Sequence, residues 1–436
     1  MSLQQHESYK HSQDAWLGRV PTGWEVRRAD FVIKSRKLQI IPADLGSMDV
    51  YHYAIPTVQS TGAGALEEGE SINSNKLVIN EPQVLVSKLN PRKATVTIAE
   101  PHDEYLTVAS TEFVPLIPYD ADIRYLFYVW KSQKVTDRLS SFVQSVTRSH
   151  QRCDPADITK IPWAWPPLCE QSRIADFLDR KTAEIDTLIA KKRRLLDLLA
   201  EKRTALITRA VTKGLNPNVP MKDSGIEWLG EIPAHWETGL PIKYLVKMTG
   251  GMTPSTSNPL YWDGEIPWVS PKDMKHSELF DTENHITWQA LDETGLSLIE
   301  ESSVLMVVRG MILSHSFPVA INRVPVVLNQ DMKALKPEQG LSPEYLAFLL
   351  VSITDYILTL VETSAHGTKT LRTDRWKELF IALPPLDEQK SIVEEVTRSL
   401  AGLDALSQTT RKTIEKLEEY RSSLITNAVT GQIKVA

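Results

Sequence analysis

Cysteine is nearly absent. Cys153 and Cys169 are too few and too unevenly placed for a disulfide scaffold or a closed thiolate metal site, so both read as ordinary thiols. No apolar run is long enough to span a bilayer, and the polar opening MSLQQHESYKHSQ lacks the basic and apolar regions of a signal peptide. A cytoplasmic chain without membrane contact is expected. There is no Walker glycine-lysine loop, no dinucleotide fingerprint and no G-x-S-x-G elbow, and the ten histidines never fall in H-E-x-x-H spacing. The stretch GMTPSTSNP is rich in turn formers but has no P-loop lysine after it. Asp154 with Asp157, and Asp292 and Glu293 with Glu300 and Glu301, lack an ordered lysine beside them and read as surface acids rather than a metal nuclease. No catalytic residue, metal ligand or bound cofactor is therefore assigned.

At 436 residues the chain exceeds what one hydrophobic core normally serves, and 42% hydrophobic with 24% charged residues is ordinary for a globular protein of two or more domains. The net charge of -6 argues mildly against nucleic acid, unless the basic residues are concentrated.

What is present is a repeat. AWPPLCEQSRIADFLDRKTAEIDTL at 164–188 shares its frame with ALPPLDEQKSIVEEVTRSLAGLDAL at 382–406, SQDAWLGRVPTGWE at 12–25 is echoed by SGIEWLGEIPAHWE at 224–237, and KRTALITRAVTKG at 202–214 by YRSSLITNAVTGQ at 420–432. Trp16 thus corresponds to Trp228, and Trp24 to Trp236. Between these edges the halves diverge, which favours one scaffold holding two different readers over simple drift after duplication.

After Pro166 and Pro167, residues 168–212 contain neither proline nor glycine. Ile174, Leu178, Ile185, Leu188, Leu195, Leu199 and Leu206 form an apolar stripe there, as a long helix lying along a partner helix requires. A second arm follows Pro384 and Pro385, with a stripe through Ile392, Val396, Leu400, Leu403, Leu406, Ile414, Leu417 and Leu424, interrupted only by Gly402. Forty residues would make a rod of roughly 60 Å. Such arms are expected to pair with each other, antiparallel if a pseudo-two-fold axis relates the repeats; the alternative is that each arm packs on its own domain. The first arm carries KKRR at 191–194 with Lys202, Arg203, Arg209 and Lys213 against Asp197 and Glu201, a basic face open to reading as solvated surface, an acidic partner's dock or a DNA contact.

Outside the arms, short apolar runs precede a helical stretch in each half. YHYAIPTVQ (51–59), KLVIN (76–80), VLVSKL (84–89), ATVTIA (94–99) and FVPLIP (113–118) lead to a helix over 122–143, while EIPWVS (265–270), SVLMVVRG (303–310) and VPVVLN (324–329) lead to one over 342–361. Strands and helices in separate blocks read as α+β. The candidate readers are polar residues in and between these strands. In the first half they are Ser87, Lys88, Arg92 and Lys93, then Gln144, Thr147, Arg148, His150 and Arg152. In the second they are Thr253 and Ser255, then Lys272, Lys275, Arg309, His315, Arg323 and Gln330, and finally His366, Thr368, Lys369 and Arg372. QSVTRSHQR (144–152) and SAHGTKTLR (364–372) hold matched places before their Pro-Pro pairs, and both combine hydroxyls, imidazole and positive charge without an acid. Arginine and lysine neutralise phosphate, while arginine, glutamine, serine and threonine match base edges.

DSGIEWLGEIPAHWE, GGMTPSTSNPLYWDGEIPWVSPKDM, VLMVVRG, NQDMKAL and the twice-used PPLxEQ together resemble the DNA sequence-specificity subunit of type I restriction-modification enzymes, over nearly the whole chain. The resemblance implies an N-terminal segment at 1–19, a target-recognition domain at 20–165, a conserved helix at 166–214, a linker at 215–231, a second target-recognition domain at 232–383 and a C-terminal conserved helix at 384–436. It implies two recognition domains separated by two long antiparallel helices, each domain reading one half of a bipartite, asymmetric site in double-stranded DNA. The chain itself would be non-catalytic. Two methyltransferase subunits using S-adenosylmethionine and restriction subunits using ATP and Mg2+ would be its partners. Pro166, Pro167, Leu168, Glu170, Gln171, Ile174, Leu178, Ile185, Leu199 and Leu206, with Pro384, Pro385, Leu386, Glu388, Gln389, Ile392, Val396, Leu403, Leu417 and Leu424, would form the spacer and the docking surface. The first half lacks the GGxTPS and IPWV pattern of the second, so different targets are expected for the two. The rival readings are a coiled-coil scaffold without DNA contact and a stand-alone DNA-modifying enzyme.

Overall fold

The computed structural model of the chain describes residues 4–143, 151–226, 228–364 and 367–435. The architecture is α+β, and packing divides it into one unit of residues 1–193 with 411–436 and another of residues 194–410. Two helices dominate, Leu168–Lys213 with 46 residues and Leu386–Val429 with 44. Each starts directly after its Pro-Pro pair, since proline cannot donate the backbone N–H that a helix extending upstream needs. Each stops just before a glycine at positive φ, Gly214 at 72° and Gly431 at 68°.

In the first unit an antiparallel sheet runs in the order 96–99, 83–87, 113–118, 33–34. Its strand Gln83–Ser87 is buried at every position. Both faces are covered, one by the helix Ile123–Lys131 and the other by a second sheet, so the strand reads as a continuous apolar run rather than an alternating one. The second sheet has five strands in the order 39–40, 76–78, 106–110, 49–53, 65–68. The core between the sheets holds Leu85, Ala99 and Phe113 from the first and Tyr53, Leu77 and Ala109 from the second.

Three local expectations change here. The run at 51–59 is a strand only to Tyr53, because Pro56 opens the helix Ile55–Thr61. Strand Leu106–Ser110 was not foreseen. The helix expected over 122–143 is two helices, Ile123–Lys131 and Gln133–Ser141, since Ser132 turns extended and its hydroxyl caps the second.

The parts of the long helices in this unit run in opposite directions, for Asp186 pairs with Arg421 and Arg193 with Glu418, both at 3.0 Å. The end of the second helix is anchored by Tyr125, whose hydroxyl donates to the Val429 carbonyl at 3.1 Å, and by Tyr9, which donates to Gly431 O at 3.0 Å.

The second unit is built on a sheet in the order 246–250, 332–337, 304–307, 319–322, 278–279. Its first four strands repeat the sequence 33–34, 113–118, 83–87, 96–99 of the other unit, with Val304–Val307 again wholly buried. Helix Pro343–Ser352 packs where Ile123–Lys131 packs in the first. The edges also match: strand 237–241 pairs with 380–383 as 25–28 pairs with 162–165. The interiors, which look unrelated in sequence, therefore share a frame. What differs is the second sheet, which here has three strands, 284–286, 262–269 and 327–328. The helix expected over 342–361 is likewise broken, into Pro343–Ser352 and Thr354–Thr359. Ile207, Ala210 and Val211 of the first long helix and Ile392, Val396 and Leu400 of the second enter this unit's core, and Tyr345 donates to Val211 O at 3.0 Å as Tyr125 does to Val429 O.

Along the second helix, the row 396, 400, 403, 407, 410, 414, 417, 421, 424, 428 is buried or half-buried in steps that alternate three and four. The first helix shows the same rhythm through 178, 182, 185, 189 and on to 196, 199, 203, 206 and 210. Leu188 and Leu406 of the stripes are exposed, at 47% and 45%, each one residue off this row beside positions 189 and 407, and Leu195 stands beside position 196.

Candidate nucleic-acid interface

The twice-used PPLxEQ motif serves the local fold first. Gln171 is 2% exposed, and its side chain accepts from Asp122 N at 2.9 Å while donating to Pro166 O at 2.9 Å. Gln389, wholly buried, accepts from Ser342 N at 2.9 Å and donates to Gly340 O at 2.7 Å and Pro384 O at 2.9 Å. Asp122 and Ser342 are the N-cap residues of the helices that cover the two main sheets. One buried amide thus ties the start of each long helix to the start of each covering helix. The neighbouring acid holds a ring: Glu170 accepts from Trp24 Nε1 at 3.2 Å, and Glu388 lies 2.7 Å from His235 Nε2.

At the end of strand Gln83–Ser87 the chain turns through Asn90 at φ 50°, and after Val304–Val307 through Gly310 at φ 139°. The loops that follow are matched in backbone pairing. Lys88 N donates to Glu112 O at 3.0 Å, as Val308 N does to Asp331 O at 2.8 Å. Leu89 bridges Arg152, as Arg309 bridges Thr370. The segments 151–152 and 367–371 therefore hold equivalent places, as their position before the Pro-Pro pairs led us to expect. Gln144, Thr147, Arg148, His150 and His366 lie outside the described residues.

A carboxylate stands at the same place in both loops. Glu112 takes Arg152 through both its oxygens, with Nε at 3.0 Å and Nη2 at 3.2 Å. Asp331 takes Arg309 through Nε at 2.5 Å. The bond to Glu112 raises the Arg152 pKa, so that guanidinium is charged at any physiological pH. Beside Arg309 an open groove of about 530 Å3 is lined by Gly310, Asp331, Ser364, Thr368 and Thr370. Thr253 donates to Gln330, whose amide reaches Asp331 at 3.4 Å, so the GGMTPS stretch joins the same polar cluster. Gly251 can only be glycine at that junction, since a Cβ would overlap the backbone of Leu328. Lys369 is braced on Thr363 Oγ1 at 2.7 Å.

Other expected readers stand outside this pair of matched carboxylates. Arg323 is bonded to Glu278 at 2.8 Å and Glu344 at 3.0 Å, in a cavity of about 400 Å3 lined also by Arg203, Ile207, Leu400 and Asp404. Burial works against its charge, but the bonds to the two carboxylates outweigh it and raise its pKa. Arg372 binds Glu362 and Asp374, and holds the Asp374 carboxyl down at about 2. Ser87 is buried and turns its hydroxyl back on Leu89. Arg92, Lys93, Lys272, Lys275 and His315 are exposed, Lys93 reaching Gln59 Oε1 at 3.3 Å, while Lys88 is half-buried. Ser255 shares a bond with Ser257, and its carbonyl accepts from Trp262 Nε1. Among the basic residues of the first long helix, Arg203 pairs with Asp404 at 2.6 Å.

Glu112 and Asp331 are not among the sequence candidates, which are chosen for side chains that neutralise phosphate or match base edges. The signal available was positional: each directly precedes the strand that pairs with the loop-bearing strand. The surface acids have structural partners: Asp154 and Asp157 form a capping box on helix Pro155–Thr159, Glu293 accepts from Tyr261, and Glu300 pairs with Lys336. No cluster of three metal-binding side chains occurs among the described residues, and no helix there is long and apolar enough to cross a membrane.

Comparison with known proteins places this architecture in a class. Residues 233–418 match the family described as the type I restriction modification DNA specificity domain. A specificity subunit from Methanocaldococcus jannaschii, that of the MjaVIII enzyme, is 23% identical with 100% of this chain and 98% of the relative aligned. The EcoR124I/EcoR124II specificity subunit of Escherichia coli is 29% identical over 59% of each chain, so the alignment spans under two thirds of that relative's length. A solved chain described under complex assembly and conformational transition of the type I R-M system has a TM-score of 0.68 at 18% identity, covering 94% of this chain and 98% of that one, which bears on the fold. Residues 233–418 thus match a type I restriction modification DNA specificity domain, and the chain along its length is similar to the specificity subunits of type I restriction enzymes.

Proposed function

We propose that this chain is the non-catalytic, DNA-reading subunit of a type I restriction-modification complex. It recognises a bipartite, asymmetric site in double-stranded DNA and docks methyltransferase and restriction subunits. Residues 20–165 and 232–383 are the two target-recognition domains. The internal repeat and the paired long helices make a coiled-coil-like spacer, whose length sets the unread gap between the half-sites. The observation that carries this reading is a common four-stranded frame, with the same loop junctions, joined to a five-stranded sheet in one unit and a three-stranded sheet in the other. A shared frame fixes where a reading loop stands, while unlike additions change what it reads. Phosphate contacts position the duplex and a few base contacts per domain specify it. S-adenosylmethionine, ATP and Mg2+ act in the partner subunits.

The test is DNA binding by the chain assembled with its methyltransferase partner. Affinity for a duplex carrying the site should fall linearly on a log-log plot of binding constant against salt, with far weaker binding to a scrambled duplex. Equal affinity for both duplexes at every salt concentration would refute sequence reading and favour a scaffold.

A further inference from the structure

Glu112 and Asp331 form the clearest point of agreement between two loops that otherwise share little sequence. The agreement lies in the pair and not in the residues. In the first unit the guanidinium comes from Arg152, which occupies the place of Thr370; in the second it comes from Arg309, which occupies the place of Leu89. A carboxylate at one backbone position is thus met by an arginine arriving from opposite sides of the same β-bridge.

Fold stability gives little reason for this recurrence. The arginine side chains are 50% and 48% exposed, and an ion pair that open to solvent contributes little. The carboxylates, at 26% and 22%, are the more enclosed partners, and their backbone is fixed by the loop amides of Lys88 and Val308. The geometry therefore has a rigid acid holding a more exposed arginine. Asp331 engages Arg309 through Nε, leaving both its Nη atoms without a hydrogen-bond partner among the described residues, and Arg152 likewise keeps Nη1.

We propose that Arg152 and Arg309 each read one guanine, one in each half-site, and that Glu112 and Asp331 are positioning residues that hold the two guanidiniums for that contact. This rests on the DNA-reading function proposed above and names the base chemistry at its site. Arg309, held at Nε, presents its two terminal nitrogens as a fork matching guanine O6 and N7 in the major groove, and Arg152, held along its Nε and Nη2 edge, presents Nη1 and the second N–H of Nη2. Holding the fork before binding removes rotamer freedom that a free arginine would lose on contact. The hydroxyls of Ser364, Thr368 and Thr370 in the groove beside Arg309 supply neighbouring donors and acceptors.

The experiment uses the full chain assembled with its methyltransferase partner and a plasmid library with randomised target sites, methylation being read by single-molecule sequencing. For the unaltered complex, a motif with two defined parts is expected, each containing guanine at one sensitive position. Arg309→Ala should lower the preference for guanine at that position of one half-site by about tenfold to a hundredfold, and leave the other half-site intact. Arg152→Ala should do the reverse. Arg309→Lys, which keeps the charge but loses the fork, should resemble Arg309→Ala. Asp331→Ala and Glu112→Ala should relax the same single positions as their arginines, which a residue serving only the fold would not do. Asp331→Asn, which keeps an acceptor for Nε, should relax it less. The proposal is overturned if Arg309→Ala depresses methylation of all sites equally with base preference retained, or if the position it relaxes is not a guanine. A complex that methylates no two-part motif even unaltered refutes the DNA-reading function itself, an outcome separate from these.

Discussion

Replacing Gln389 with alanine would remove a buried amide that satisfies three backbone groups at once, Ser342 N, Gly340 O and Pro384 O, the last on a buried residue. Each such bond contributes about 1 kcal/mol net, and a buried group left without a partner costs about 1–3 kcal/mol. Restored freedom of a side chain that folding had frozen returns about 1.5 kcal/mol. The balance is a loss of about 2–4 kcal/mol, confined to the unit of residues 194–410, where all four residues lie. For a unit of that size this lowers its melting temperature by about 4–16 °C. Scanning calorimetry of the full chain should then show one transition moving down, and Gln171→Ala should move the transition of the other unit. A drop below about 0.5 kcal/mol on denaturant titration for both variants would refute the argument that these amides join the long helices to the covering helices.

Three further outcomes are expected. Tyr345→Phe deletes the hydroxyl bond to Val211 O at 3.0 Å without opening a cavity, and should cost about 1 kcal/mol by denaturant titration. At pH 8 iodoacetamide should label Cys169 readily and Cys153 only on unfolding, since Cys169 is exposed while burial, aided by Asp157, pushes the Cys153 thiol up to about 11; equal rates in the native chain would contradict this. Deleting seven residues from the middle of both long helices keeps the alternating burial and shortens each by about 10 Å; the methylated motif should lose about three base pairs from its gap and keep its half-sites, and altered half-site bases with an unchanged gap would count against the spacer.

The long helices were legible because a stretch without proline or glycine and with a recurring apolar stripe has few other solutions. Their facing was legible only in part: Leu188 and Leu406 are apolar but sit one residue off the buried row, and Thr182 and Thr410, which sequence gives no cause to place inside, are 7% and 2% exposed. The common frame of the two units was hidden for a different reason. Strands buried on both faces, such as 83–87 and 304–307, carry no alternation that would fix their register, and the pairing that sets it joins segments far apart in the chain. The acids at 112 and 331 escaped notice because an acid that holds an arginine and an acid that pairs with solvent look alike until the distance is known. Similarly, the pairing of Arg323 with Glu278 and Glu344 could not be read from sequence, because those acids come from elements distant in the chain.

The central claim is that one frame used twice presents two different DNA readers. Single-molecule sequencing of genomic DNA from cells with and without this gene tests it most directly. The account predicts a methylated motif that depends on the gene and consists of two unlike specified parts separated by unspecified bases. A gene-dependent motif that is continuous, or an unchanged methylome in cells whose methyltransferase partner is active, would contradict it.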